Sequence, residues 1–514
     1  MFEVSDQIAP ITCDSATRRN RLLLTMSLST AVVSLDTSIV GVALPSIARS
    51  LHATFTGLEW IISSYVVCFA SLLLPAGTFV DRRGRKLGVV LGLAIFAIAS
   101  LWCGLAQSVE TLVAGRILQG VGGALLPSSS LAVIGHSFRG PERGRAFAIW
   151  GSAIGVAITA GPIVGGSLIS LFGWRWIFLI NIPLCLALMA MTRLWVDESK
   201  DPDAKRYDLA GCITYTAGLI FLTATMIGGN DLGWLSPAIL GRLGVAVTLL
   251  VLFIVIERKV SHPFLDLRLY GRREVLGATA AMAGYAGAAQ VLIFYLPLYL
   301  QNAFDLKPLL AGFAMLPFAL PLFLAPRYGA KVARQYSGRS VLTSGLVLTV
   351  IGNISLAAVS GLGSYPLSAL AMFFSGCGAG ILNGETARTF QGTIPPERGG
   401  MASGLAAATR FTSLLVSIAI LGIVLSHFTA SNLDTRFGGT VDQPMIVKRV
   451  TAGDIAGASV LVPETERPVF IEASRVSFVH GFVYSMITAG VFALLAALLT
   501  SVFLRKQERT IPDS

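Results

Sequence analysis

The stretch Gly77-Thr78-Phe79-Val80-Asp81-Arg82-Arg83-Gly84-Arg85-Lys86-Leu87-Gly88 decides the fold. Five charges fall within six residues, and long apolar runs lie on both sides. Charge of that density does not sit in hydrocarbon, so the stretch predicts a tight polar turn between two membrane spans. Its glycines allow a close helix end and a sharp reversal. Its basic residues place the turn on the cytoplasmic side. A positive-inside anchor would account for that much and no more.

The rest of the chain agrees with a membrane protein. Of 514 residues, 54% are hydrophobic and only 13% charged, with a mean hydropathy of +0.72. Soluble domains carry about 25% charged residues. The net charge of +11 does not point to nucleic acid, because the excess lies in short loops between apolar runs rather than on one basic face. Five of the six cysteines fall in apolar spans and none forms a Cys-x-x-Cys, so no disulfide framework is implied. The N-terminus has no short apolar region with a cleavage site, and the first span is expected to be retained.

Fourteen segments are close to the ~20 residues that cross a bilayer. They lie at 22–46, 58–80, 88–107, 110–135, 146–170, 175–194, 208–228, 236–256, 275–301, 308–326, 340–361, 366–388, 400–427 and 481–503. An even count puts both termini on one side. With the termini cytoplasmic, 28 of the 39 Lys and Arg residues fall inside, and the short outer loops hold only Arg49, Arg175 and Lys307. That asymmetry sets the orientation. The long outer segment at 428–480 is expected to hold a small hairpin or to be mobile. The acidic, Pro-broken stretch at 195–207 reads as a linker.

A weak repeat runs at an offset of 252–256 residues. Leu44-Pro45 matches Leu296-Pro297, Gly84-Arg85 matches Gly338-Arg339, and Gly120 and Gly122 match Gly376 and Gly378. The repeat predicts a six-helix bundle at 1–194, a linker and two inserted helices at 195–274, and a second six-helix bundle at 275–514. Two such bundles around a central site are the architecture of a rocking transporter. The copies differ in charge. The second turn, at 328–339, has no carboxylate matching Asp81, Met372 stands where Arg116 maps, and Gln290 lies near the Asp36 position.

On these stretches the sequence resembles the major facilitator superfamily, and within it the fourteen-helix drug/proton antiporters of the EmrB/QacA type. The opening turn, with Gly77, Asp81, Arg82, Gly84 and Arg85, matches the superfamily's motif A. Leu35 to Pro45 matches the first-helix motif of the fourteen-helix branch. Arg116 to Gly122 matches motif B, and Gly161-Pro162-Ile163-Val164-Gly165-Gly166 matches the antiporter motif C. Gly173 to Pro183 is a further hallmark of that branch. The resemblance implies an all-α polytopic fold of two six-helix bundles plus two inserted helices. It also implies a multi-pass inner-membrane exporter of lipophilic, often cationic, small molecules. The expected drive is a proton gradient with no bound cofactor, since no Walker A motif is present. A dedicated exporter of one metabolite, antibiotic or lipid is the alternative, and a non-transporting sensor is the reading from another class. A periplasmic adaptor and an outer-membrane channel are the partners such an arrangement would take.

Residue chemistry sharpens this. Asp36 and Arg116 lie roughly 9–14 Å below the outer surface, counting 1.5 Å per residue. Ionisable residues at membrane depth are rare and usually functional. Asp36 is therefore the expected proton site and Arg116 its modulator; a static ion pair that fixes helix packing is the alternative. Glu385 and Arg410 form a second candidate embedded pair, against the reading that both snorkel to the interface. Gly161-Pro162 predicts a kinked fifth span, and the small residues around it a close seam. Asp81 is expected to cap a neighbouring helix N-terminus. Aromatics including Tyr65, Phe69, Trp150 and Tyr285 are candidates for a lipophilic pocket. No Gly-x-Ser-x-Gly elbow, metal-spaced His/Cys cluster or dinucleotide fingerprint points to an enzyme.

Overall fold

The computed structural model describes residues 16–200, 208–260, 267–394, 399–437 and 443–504. They are helical throughout, with no strand among them. In chain order the spans are α1 (Ala16–Leu51), α2 (Phe55–Arg83), α3 (Arg85–Gly104), α4 (Val109–Ser137), α5 (Gly140–Phe172), α6 (Trp176–Trp195), α7 (Leu209–Leu232) and α8 (Pro237–Lys259). They continue with α9 (Arg273–Ala303), α10 (Pro308–Ala314 bent into Leu316–Gln335), α11 (Gly338–Ser360), α12 (Tyr365–Gly392), α13 (Gly399–Phe437) and α14 (Arg467–Phe503). Thirteen of these cross a membrane by length and apolarity, and the pair bent by 43° in α10 makes fourteen. Most helices outrun the apolar stretches that announce them, because polar end turns continue the backbone ladder outside the hydrocarbon.

Local chemistry sets the helix ends. Thr54, Ser236 and Asp208 each accept from a backbone N–H in the first turn of α2, α8 and α7, and Ser108 and Thr111 form a capping box at α4. Each satisfies donors that the helix cannot. Inside the spans, hydroxyls bond back to their own helix, as Ser29 does to the Thr25 carbonyl and Ser71 to that of Val67. This leaves few polar atoms facing lipid.

Burial ranks the helices. In α9, 89% of the apolar stretch is buried, and in α1, 78%; in α8 only 17% is. The first two are therefore central, and α8 turns most of its surface to lipid. The inserted helices α7 and α8 pack on each other, and α7 also touches α2 and α13.

One face is tied together by Arg18 to Asp197 at 2.8 Å, Arg19 to Glu142 at 2.9 Å, and the Arg85 N–H to the Ser199 carbonyl. Thr500 donates to the Gly277 carbonyl, which brings the end of α14 to the start of α9. We call this the terminal face. At the far face α1 meets α9: Gln301 donates to the Val42 carbonyl at 2.9 Å. There, a Cβ on Gly41 would lie 2.6 Å from the Ile293 carbonyl oxygen.

The outer segment is neither a hairpin nor a loop where it is described. α13 runs on to Phe437 and α14 begins at Arg467. Arg475 pairs with Asp305 at 2.7 Å, so the turns of α14 before it stand beyond the α9–α10 loop. Short helices at Gln443–Thr451 and Ile455–Ser459 close this extension over its own apolar cluster of Leu433, Ile446, Val450, Ile455, Ala458, Val462 and Phe470. Residues 438–442 lie outside the description. The apolar i, i+1, i+4 spacing of Ile446, Val447 and Val450 suits a helix with one buried face.

Candidate functional site

Asp36 and Arg116 meet in the N-terminal half. Arg116 Nη1 lies 2.6 Å from Asp36 Oδ2, and neither side chain is more than 1% exposed. A buried ion pair is tolerated only when further hydrogen bonds support it, and here amides and a backbone carbonyl do so. Asn181 Nδ2 donates to Asp36 Oδ1 at 2.9 Å and Gln119 Nε2 donates to the same atom at 3.2 Å. Arg116 Nη1 also donates to Gln119 Oε1 at 2.7 Å, and its Nε donates to the Ile61 carbonyl at 3.3 Å. Ser100 Oγ accepts from Gln119 and from Asn181. The guanidinium lies over the Tyr65 ring at 4.1 Å, a cation–π contact that strengthens away from water. Five helices, α1, α2, α3, α4 and α6, thus meet in the network around this pair.

Four of these residues were not singled out from the sequence as part of the charge site. Gln119 sits one turn beyond Arg116 on α4, on the same face. Asn181 opens the main run of α6. Both lie inside the motif stretches already quoted, and their amides complete the pair. Ser100 carries no sequence signal. Tyr65 is a candidate pocket aromatic whose ring instead faces Arg116.

The antiporter-motif stretch forms a seam two residues from Asp36. α5 runs from Gly140 to Phe172 with Pro162 inside it. Pro162 has no N–H to give the carbonyl four residues before it. Gly161 faces Ser38 of α1, and a Cβ on Gly165 would come 2.9 Å from the Ile39 side chain. On the other side, Gly166 abuts the Pro308 backbone and Gly312 abuts the Pro162 carbonyl. At each of these the helix axes are so close that only glycine fits. Gly151 faces open space, and Gly155 lies against Phe323.

The opening turn is tighter than expected and is held differently. Gly84 alone separates α2 from α3, at φ 140°, a conformation that glycine adopts without strain. Asp81 does not cap a neighbouring helix; its Oδ1 accepts from Arg85 Nε at 3.0 Å within the turn. Glu198, from the linker after α6, is the cap, accepting from the Lys86 and Leu87 N–H groups at 3.0 and 3.1 Å. Lys86 Nζ donates to the Arg193 carbonyl. A Cβ on Gly77 would meet nothing within 4 Å. The second turn also shifts: α10 continues to Gln335, and Ser337 caps α11 by accepting from the Ser340 N–H.

Glu385 and Arg410 do not pair. Glu385 lies 3.5 Å from Arg388 on its own helix. Arg410 Nε donates to Gln290 Oε1 at 2.8 Å and its Nη2 to the Tyr285 hydroxyl at 3.2 Å. The reason is a π-helical segment, Tyr285–Gln290, in α9. In an α-helix, residues five apart point about 140° away from each other. The wider π turn brings both side chains round to Arg410.

The family model of the Major Facilitator Superfamily matches residues 26–418. The chain belongs to the major facilitator superfamily. It is 31% identical over 428 residues to the multidrug resistance protein Stp of Mycobacterium tuberculosis, covering 82% of this chain and 79% of the relative. It is 33% identical to a methylenomycin A resistance protein of Streptomyces coelicolor, covering 78% and 84%. With the multidrug efflux pump LfrA of Mycolicibacterium smegmatis it shares 28% identity, covering 97% and 98%. Among solved structures, a bacterial homologue of the human lysosomal transporter Spinster, inward-facing and unoccupied, superposes with a TM-score of 0.67 at 16% identity, covering 95% of this chain and 98% of that one. That likeness speaks to the superfamily fold.

Proposed function

We propose that this superfamily member is a drug-efflux transporter that exchanges lipophilic small molecules for protons. The carrying observation is the Asp36–Arg116 pair, fully buried and held in a hydrogen-bond network at membrane depth. Asp36 is the proton-carrying group. Its protonation removes the negative charge that holds Arg116, Gln119 and Asn181, and so loosens α1 from α4 and α6. α1 is also the helix whose Ser38 and Ile39 face the α5 glycines and whose Gly41 and Val42 meet α9. A change at Asp36 therefore reaches the seam between the halves through one helix, over less than two turns. No bound cofactor enters this scheme, and transport rather than catalysis is the activity.

The names of the relatives support the substrate class. Two of those above are named for multidrug resistance or efflux and one for resistance to a single antibiotic. The last favours a second reading, export of one antibiotic or metabolite by the same machinery. The basic loops support a cell-membrane placement with both termini cytoplasmic. The helical extension of α13 and α14 then stands on the outer side, where it offers a surface for a periplasmic adaptor linked to an outer-membrane channel.

The test is Asp36→Asn in inverted vesicles. Drug uptake driven by a pH gradient is expected to vanish while the protein is still inserted and folded. Full gradient-driven uptake by this variant overturns the reading.

A further inference from the structure

We propose that Arg410 and the π-helical turn of α9 form an anion subsite, and that the compounds it selects carry a carboxylate. The proposal rests on the efflux reading and adds a chemical class to it.

Arg410 stands on α13 among residues that reach several neighbouring elements. Thr409 bonds Tyr270, and Thr412 bonds Tyr215 of α7. Phe411 meets Phe69 of α2 edge-on at 4.9 Å, so this level of α13 lies where the two halves touch. The Arg410 guanidinium lies over the Tyr285 ring at 5.0 Å. Tyr285 OH in turn donates to Asn383 Oδ1 of α12 at 2.8 Å. That bond orients the hydroxyl so that its lone pairs face Arg410 Nη2. The cation is thus fixed by α9, which packs on α1 of the N-terminal half, and through Tyr285 by α12.

Fixing it uses only part of its capacity. Arg carries five N–H donors. The bonds to Gln290 and Tyr285 engage Nε and one N–H of Nη2. The edge formed by Nη1 and the second N–H of Nη2 is the one that takes a carboxylate in bidentate fashion. Among the described residues no carboxylate is paired with Arg410, and Glu385, which follows Asn383 by two residues, is turned to Arg388. The partners Gln290 and Tyr285 are neutral, so they orient the guanidinium without neutralising it. Arg410, Gln290 and Asn383 are all half-buried rather than sealed. The Asp36 site is the contrast: there the cation is sealed from solvent and its charge is met directly by a carboxylate at 2.6 Å. An oriented cation with one edge left over, beside the Phe69 and Phe411 rings, suits a lipophilic acid.

A matched pair of compounds tests this: the fluorescent acid 1-pyrenebutyrate and its methyl ester, followed by efflux from energised cells overexpressing the full chain. The wild-type protein is expected to export both. Arg410→Gln is expected to lower export of the acid at least 10-fold and to leave the ester within 2-fold; Arg410→Lys should recover part of the acid export. Gln290→Glu places a carboxylate on the guanidinium without removing it, and is expected to lose the acid selectively as well. Equal loss of acid and ester in both Arg410→Gln and Gln290→Glu, or undiminished acid export in both, overturns the proposal. So does a wild-type protein that exports the ester and lipophilic cations but not the acid, an outcome that leaves the efflux reading standing. Failure to export any compound would instead strike at the efflux reading itself, and direct titration of the purified protein with 1-pyrenebutyrate then decides the subsite: binding weakened at least 10-fold by Arg410→Gln upholds it, and binding equal in both proteins removes it.

Discussion

In the N-terminal half, Asp36, Arg116, Gln119 and Asn181 join α1, α4 and α6 through charge. At the matching places in the C-terminal half, Met372 stands for Arg116 and Ser375 for Gln119. Asn353, one position from the match to Ser100, donates to the Ala288 carbonyl of α9 at 2.9 Å and accepts from Ser375 at 2.9 Å. Met372 and Asn353 are fully buried. Both halves fasten a central helix to its neighbours with buried hydrogen bonds, but only one uses ions. A neutral network fastens permanently, whereas an ionic one can be released by a single proton. The difference teaches that the charge at Asp36 is not required to pack six such helices. The C-terminal half packs them without it.

The comparison can be broken most severely at Arg116. Arg116→Met copies the C-terminal residue into the N-terminal half but leaves Asp36 buried without its cation. Breaking a buried pair in this way costs about 3–5 kcal/mol, and a large drop in the melting temperature of the detergent-solubilised protein is expected. Adding Asp36→Asn to it makes the site neutral, like its counterpart. The double variant should regain most of the stability and none of the gradient-driven transport. If it stays as unstable as the single variant, the two halves are not interchangeable in packing.

A smaller effect is expected at Asn353. Asn353→Ala removes two buried hydrogen bonds and leaves the Ala288 carbonyl and Ser375 hydroxyl without them, at a cost of about 1–3 kcal/mol. Because no titrating group is touched, transport should keep its dependence on the pH gradient. A changed dependence in vesicle assays would mean that the neutral network is part of the coupling.

The smallest effect separates the two turns. The first is capped from a distance by Glu198, the second by its own Ser337. Glu198→Ala should cost about 1 kcal/mol, the usual worth of a helix cap. Asp81→Ala removes only a partly exposed i, i+4 pair, worth about 0.3–0.5 kcal/mol. Melting curves that rank Asp81 above Glu198 would return the turn's main contact to the motif carboxylate.

The helices and the buried pair were legible in the sequence because both rest on transfer energy. Long apolar runs have one low-energy form in a bilayer, and a lone carboxylate within them needs a cation. What escaped reading depends on angles and on distant chain. The π-helical turn at Tyr285–Gln290 is written as Tyr-Ala-Gly-Ala-Ala-Gln, six residues with no periodic signal, yet it decides that Arg410 meets Gln290 and not Glu385. The Glu198 cap joins residues 111 and 112 positions apart, beyond any local pattern. The helical cap over α13 and α14 was hidden by its glycines and prolines, which read as loop, while its apolar cluster forms only when four helical segments come together.

The extension of α13 has a mechanical consequence. Its 39 residues make a rod of about 58 Å, nearly twice the hydrocarbon thickness of a bilayer. α14, with 37 residues, braces it along much of its length. Each degree by which this pair tilts displaces its tip by about 1 Å. A rearrangement measured in fractions of an ångström near Gln290 is thereby magnified at the short helices of the cap, and the outermost part of the molecule becomes a pointer to events in the middle of the membrane.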